Sequence, residues 1–335
     1  MTDTRADTPS VVERTRPITI DGAVVAAHFL GQTAVFVLGE AALLLVARDE
    51  PARTIAVHEG AILCSASDGD RVVTGGDDGK VATTDVRGVS TVVASDGKHR
   101  WIDHIAIGPA SALAWSAGKQ AFARTGKGGE HAIEVASTVA GLAFAPKGLR
   151  IAIAHYNGVT LWFPNLQAAP EMLEWRGSHR DAIFSPDGRF VISSMQEPTL
   201  HGWRLADRKD MRMSGYAARV RLFGFTADGK WLATSGSNQL ILWPFQGKDG
   251  PMGKAPRILA PAATQAEIVA CHPKQGIVAV GYADGLVLLV RVDDGAEVLA
   301  RKPAGAPITA LAWNATGSML AIAAEDGQAG VIDLG

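Results

Sequence analysis

FSPDGRFVIS (184–193) contains an aromatic strand end, a Ser-Pro-Asp-Gly turn and the start of an alternating apolar strand. Pro presets one turn dihedral and Gly supplies the positive φ that a tight turn needs. Apolar alternation of period two is the strand signal. FAPKGLRIAI (144–153) and FTADGKWLAT (225–234) repeat the pattern. CHPKQGIVAV (271–280), WNATGSMLAI (313–322) and SASDGDRVVT (65–74) carry it in worn form, IGPASALAWS (107–116) and LGQTAVFVLG (30–39) more weakly. Eight copies at intervals of roughly 40 residues make a repeat architecture, so chain length does not count domains here.

Each copy continues into a Gly, Asp or Asn turn and another apolar strand, as in DDGKVATTDV (77–86), YNGVTLWF (156–163), ADGLVLLVRV (283–292) and EDGQAGVIDL (325–334). Short outer segments such as RTIAV (53–57), AIEVA (132–136) and EVLA (297–300) supply a fourth strand. The last copy ends at Val331-Ile332-Asp333-Leu334, one strand short, and a spare strand, Ile18-Thr19-Ile20, precedes the first. The N-terminal strand is predicted to complete the last unit and remove an open sheet edge. The expectation is an all-β fold of eight four-stranded units, with seven as the alternative if the first or third copy is misparsed. Residues 1–15 precede any apolar pattern and are expected to form a disordered tail, with residues 16–335 as one domain.

Over residues 17–335 the sequence resembles the WD40-repeat β-propeller family, in a degenerate, bacterial-type form. FSPDG is that family's most recognisable turn. Trp162, Trp203 and Trp243 stand where the family places the Trp of its Trp-Asp dipeptide, but Phe163, Arg204 and Pro244 follow them. Thr84-Asp85 and Ile332-Asp333 keep the Asp and lose the Trp. The Gly-His dipeptide is absent at the expected offset, so the full His–Asp–Ser/Thr–Trp hydrogen-bonded set is not expected in any repeat.

The resemblance also sorts the loops. It places turns after the second strand, and connections leading into the first, on the top face. Tyr156 and Tyr282 fall in second-strand turns and Tyr216 in a connection, with Arg219 nearby. Trp101 and Trp175, the latter followed by Arg176, fall at two further connections. Aromatics and Arg dominate interface hot spots, so these seven residues are the candidate partner-binding face; the ordinary alternative is packing between blades. Asp103, His104, Arg180, Asp181, Arg221 and Glu267 fall at one step of the innermost strands. There they form either a solvated channel lining with internal ion pairs or an anchor for a charged group of a partner.

The composition narrows the function. A net charge of −2 gives no basic footprint for nucleic acid. No apolar run is long enough for a membrane span, and MTDTRADTPSVVERTR (1–16) lacks the apolar core of a signal peptide, so a cytoplasmic location is expected. Residues 250–255, GPMGKA, lack the spacing and final Ser/Thr of a phosphate-binding loop. His58-Glu59 has no second His at metalloprotease spacing, and Cys271-His272 offers two metal ligands where four are usual. No catalytic residue, metal or cofactor is expected. The sequence therefore points to a non-catalytic scaffold that binds a protein or peptide on the top face, as a monomer or as a subunit of a complex. The alternative is a propeller enzyme or small-ligand protein using the channel, including an anion held by Arg180 and Arg221. The segment QGKDGPMGKAP (246–256) reads as a surface insertion, with two prolines barring a central strand. Limited trypsin digestion is expected to cut first at Lys248 or Lys254; earlier cuts inside a repeat would contradict this parsing.

Overall fold

The Ser-Pro-Asp-Gly turn builds itself from its own side chains. Ser185 Oγ donates to Asp187 Oδ1 at 2.7 Å and accepts the Phe190 amide at 2.9 Å. The Gly188 amide closes on the Ser185 carbonyl at 2.8 Å, with Gly188 at φ 74°. Thr226, Asp228 and Gly229 repeat this geometry, with Thr226 Oγ1 on Asp228 Oδ1 at 2.7 Å. Asn314 does the same work with its amide, accepting the Met319 N–H at 3.1 Å. Side-chain-capped turns of this kind fix where each second strand begins and so set its register.

The computed structural model describes residues 8–126 and 129–335. They fall into two compact units: residues through Phe36 with Ala47–Asp49 and Arg221–Gly335, and Val37–Val46 with Glu50–Val220.

In the first unit, Phe223–Phe225, Trp231–Thr234, Leu240–Pro244 and Arg257–Leu259 form one antiparallel sheet. Ala266–Cys271, Ile277–Tyr282, Val287–Arg291 and Glu297–Arg301 form the next. Ile308–Trp313, Met319–Ala324 and Gln328–Asp333 form the third, completed by Thr15–Thr19. That N-terminal strand pairs antiparallel with the last, Thr15 opposite Ile332 and Ile18 opposite Ala329, as the missing strand required.

In the second unit, Ile62–Ser67, Arg71–Gly76, Lys80–Asp85 and Ser90–Ser95 form one sheet, and His104–Ile107, Leu113–Ala117, Gln120–Arg124 and Glu130–Glu134 another. A six-stranded sheet follows, running Gly141–Phe144, Ile151–Trp162, Glu171–Phe184, Phe190–Met195, Leu200–Arg204 and Lys209–Met213. The first repeat, residues 24–56, gives a further four-stranded sheet. The described residues thus make seven sheets, the alternative count and not eight. The difference has a local cause. Glu171–Phe184 runs unbroken from the outer strand of the fourth sequence repeat into the inner strand of the fifth, so these two repeats share one sheet. Its two long strands change course at left-handed residues, Asn157 (φ 69°) and Gly177 (φ 117°), where a four-strand repeat would otherwise turn.

The core lies between sheets. Phe190–Met195, Met319–Ala324 and Leu113–Ala117 are buried at every position. Ala233, Leu240, Val278, Val280 and Leu288 pack together in the first unit, and Ala154, Leu161, Leu173, Val191 and Trp203 in the second. Outer strands such as Glu130–Glu134 alternate exposed and half-buried. Residues 246–256 contain turns and no strand, as expected, and Lys254 Nζ ties the loop to the Gln246 carbonyl at 2.8 Å.

The start of the chain is described from residue 8. Residues 1–7 lie outside the described residues, but residues 9–14 are ordered. Leu299 N–H donates to the Pro9 carbonyl at 2.8 Å and Val11 N–H to the Leu299 carbonyl at 2.9 Å, so the segment lines the edge of Glu297–Arg301. Val11 packs on the apolar cluster of Ile308 and Ile332, and Arg14 reaches the Leu334 carbonyl. A polar composition hid one valine placed to cover a sheet edge. Two net hydrogen bonds and one apolar contact are worth about 2 kcal/mol. Deleting residues 1–14 is therefore expected to lower the melting temperature by a few degrees, and deleting through Thr19 to cause aggregation by baring the edge of Gln328–Asp333. Unchanged melting of both truncations would refute this pairing.

Candidate interaction site

The second unit carries the main concentration of the residues singled out by sequence. The His104–Ile107 strand and the connection before it place Trp101, Asp103 and His104 at one side of a cleft of about 590 Å³. Tyr156, His179 and Arg180 line it opposite, with Leu63 and Ser137 to Ala140 completing the wall. Trp101 is 61% exposed and Tyr156 58%, the most exposed aromatic side chains described. Asn157 and Gly158 (φ 69° and 146°) turn the chain sharply after Tyr156, and the Tyr156 amide is held by Ser137 Oγ at 2.8 Å. Two groups expected separately, the aromatic rim and the channel charges, thus meet in one cleft.

A second recess of about 340 Å³ shares Tyr156 and adds Trp175, Arg176, Gly177, Met195, Glu197, Thr199 and Arg212. Trp175 is half-buried, its ring stacked on His201 at 4.0 Å and 16°. His201 is fully buried, and burial pulls its imidazole down to about 3, so it is a neutral platform. Trp175 is thus both packed and presented.

Other expected residues sit elsewhere. Tyr282 is fully buried, its hydroxyl donating to the Ala260 carbonyl, and Tyr216 is 8% exposed. Neither offers a surface; both belong to the interior, which corrects their place on the binding face. Arg219 is half-buried and donates to Gln196 Oε1 at 3.1 Å. Arg221 and Glu267, in the first unit, form an ion pair at 3.6 Å, which leaves Arg180 without its expected companion for an anion.

The cleft electrostatics follow from burial. Burial pulls His104 down to about 4, with the Arg180 charge acting in the same direction, so the ring is neutral at pH 7. Burial raises the Asp103 carboxyl. Burial also pushes Asp181 up to about 6, against one hydrogen bond from the Ala182 amide at 2.8 Å. Cys64 and Cys271 are free thiols whose pKa burial raises, Cys271 to about 12, which makes them poor nucleophiles. Among the described residues no group of three or more His, Cys, Asp or Glu is arranged to hold a metal ion.

Sequence reasoning missed two polar trios. His58 Nδ1 meets Asp78 Oδ1 at 3.0 Å and His58 Nε2 meets Thr74 Oγ1 at 2.9 Å. Burial works against the charged Asp78, but hydrogen bonds from His58, Lys80 and Glu59 outweigh it and hold the carboxyl below its ordinary range. His179 Nδ1 meets Ser193 Oγ at 2.7 Å beside the Trp203 ring at 5.6 Å. Each trio is three quarters of the His–Asp–Ser/Thr–Trp set. The first lacks the Trp, with Thr84 at that place, and the second lacks the Asp. The histidines follow Val57 and Ser178 instead of Gly, so a search for Gly-His passes over them.

Two family models match parts of the chain: "WD domain, G-beta repeat" over residues 49–82, and "Anaphase-promoting complex subunit 4 WD40 domain" over residues 269–335. The first span contains the His58–Thr74–Asp78 trio. No curated protein matches the chain significantly. Among solved structures, the computationally designed Ika8 protein is similar with a TM-score of 0.75 at 17% identity, covering 94% of this chain and 97% of that one. No described helix is long and apolar enough to cross a membrane.

A carboxyl whose folded pKa lies above its unfolded value of about 3.9 destabilises the fold once ionised. For Asp181 that stability is present below about pH 4 and lost as pH rises to about 6. Asp181→Asn, which keeps the Oδ1 acceptor, is expected to exceed the parent by about 1–2 kcal/mol above pH 7 and to match it at pH 4. Denaturant titrations at both pH values check this; equal stability at pH 8 would refute it. Antiparallel four-strand repeats, the capped turns, the strand-completing N-terminus and the two family matches over residues 49–82 and 269–335 support a WD40-repeat β-propeller.

Proposed function

We propose that this protein is a non-catalytic interaction module that binds a partner protein or peptide over the Trp101–Tyr156 cleft. WD40 propellers generally mediate protein–protein interaction, which supports the class. The observation that carries the reading is the exposure of two large aromatics on the walls of one cleft. Exposed Trp and Tyr give up apolar burial without any return to the fold, whereas at interfaces they are the residue types that anchor partners. In this reading Trp175, Arg176 and Arg180 extend the contact surface. The protein acts in the cytoplasm, alone or as a subunit.

The test starts with capture on immobilised full-length protein from a native cytoplasmic extract, followed by binding of the purified partner. The double variant Trp101→Ala/Tyr156→Ala, with parental circular dichroism, is expected to lose about 2 kcal/mol or more, roughly thirtyfold in affinity. Lys147→Ala, in the FAPKG turn, is expected to bind as the parent does. Loss of binding at Lys147 with no change at Trp101 and Tyr156 would place the contact on the opposite turns and overturn the reading.

A further inference from the structure

Most arginines in the second unit pair with a carboxylate; Arg53 donates to the Val86 and Arg87 carbonyls instead, and four others also lack one. Arg87, Arg100, Arg150, Arg189 and Arg204 each sit on a carboxylate at 2.6–3.1 Å. Arg176, Arg180, Arg212 and Arg219 have no carboxylate partner among the described residues. Arg212 has only a long 3.4 Å contact to Thr199 Oγ1, and Arg219 a neutral amide. Three of these four, Arg176, Arg180 and Arg212, line the two recesses that share Tyr156.

The pairing elsewhere matters because the chain as a whole is acidic by two charges. Arg87, Arg189 and Arg204 sit on an Asp supplied by their own turns, whereas Arg176, Arg180 and Arg212 do not sit on a carboxylate among the described residues. In the Trp175 recess the two guanidiniums face one carboxylate, Glu197, a net positive lining. Trp175 is fixed by its stack on neutral His201, so the recess has a preset apolar wall beside its charges. Guanidinium forks bind carboxylates bidentately, and a preset aromatic wall takes the adjoining side chain or backbone at low entropic cost.

Resting on the proposed interaction role, we infer that the partner is an acidic peptide segment, whose Asp or Glu carboxylates are received by Arg176 and Arg212 while a neighbouring apolar side chain lies against Trp101 and Tyr156. Nucleic acid is the less favoured source of negative charge, because the protein carries a net charge of −2 and the two arginines of one recess form no extended basic track.

Fluorescence anisotropy with the full-length protein tests this using three labelled probes. One is a dodecapeptide pool with Glu fixed at alternate positions and mixed apolar residues between. The second is the same pool with Gln for Glu, and the third is oligo-dT of twelve nucleotides. At about 50 mM salt the Glu pool is expected to bind about tenfold more tightly than the Gln pool, and the preference to shrink as salt rises. Arg176→Ala/Arg212→Ala is expected to abolish the preference and leave the Gln pool unchanged. Arg176→Lys/Arg212→Lys is expected to retain part of it, and Trp101→Ala/Tyr156→Ala to weaken both pools. Equal binding of both pools, still dependent on Trp101 and Tyr156, would overturn the acidic partner and leave the interaction role standing. Binding of the pools that ignores Trp101 and Tyr156 would overturn that role as well. Tighter binding of oligo-dT than of the Glu pool would overturn the peptide assignment.

Discussion

Burial of the second strand on both faces is the constraint on which the rest of this structure depends. A strand covered on one side alternates apolar and polar residues, but one covered on both must be apolar or small throughout. Met319-Leu-Ala-Ile-Ala-Ala324 and Phe190-Val-Ile-Ser-Ser-Met195 obey that rule. It also explains glycine at two equivalent places. A Cβ on Gly75 would lie 2.5 Å from Ile102 Cγ2, and one on Gly281 would lie 2.7 Å from Ile268 and Ile308. The isoleucines approach the strand so closely that no side chain fits. Because the sheets use both faces for packing, binding chemistry is left to the turns and connections that leave them, and there the candidate residues cluster.

The same constraint determines what could be read from the sequence. Turn chemistry and second-strand hydrophobicity are local, so the strands, the four-strand unit and the role of the N-terminal strand were legible. Sheet count was not, because it depends on whether Glu171–Phe184 breaks into two strands or runs on. That is settled by one left-handed residue, Gly177, and by the pairing it permits on either side. Nor was the fate of residues 9–14, whose Val11-Val12 pair stands alone among Pro, Ser, Glu and Arg in any local window while Leu299, almost three hundred residues away, supplies the partner.

The site was legible by position and misread by burial. Tyr156 and Tyr282 were both expected in turns after a second strand and both lie in strands, yet one is 58% exposed and the other fully buried. Tyr282 ends the continuous buried run of Ile277–Tyr282, and its hydroxyl finds the Ala260 carbonyl inside. Tyr156 and Asn157 are the two exposed residues of Ile151–Trp162; the left-handed pair Asn157-Gly158 turns the chain back into the core and leaves the Tyr156 ring outside. Residue type alone marks an aromatic as a possible anchor. Whether a hydroxyl partner lies within reach of a buried pose decides between anchor and core, and that partner is distant in sequence.

The broken family signature follows the same logic. His58 and His179 each retain two of the three partners that a complete set would give them. A net hydrogen bond contributes about 1 kcal/mol, whereas each fully buried Leu, Ile or Phe of a second strand contributes roughly 1.5–3 kcal/mol. A repeat can therefore lose its Trp or its Asp so long as the surviving His is not left buried with unmet hydrogen-bonding atoms, which would cost about 1–3 kcal/mol. Thr74 and Asp78 meet that need for His58, and Ser193 with the Trp175 carbonyl meets it for His179. His201 shows the limit of this tolerance. It makes no hydrogen bond through either ring nitrogen, and burial holds it neutral under Trp175. Its stacking contact holds Trp175 in the recess that Arg176 and Arg212 also line.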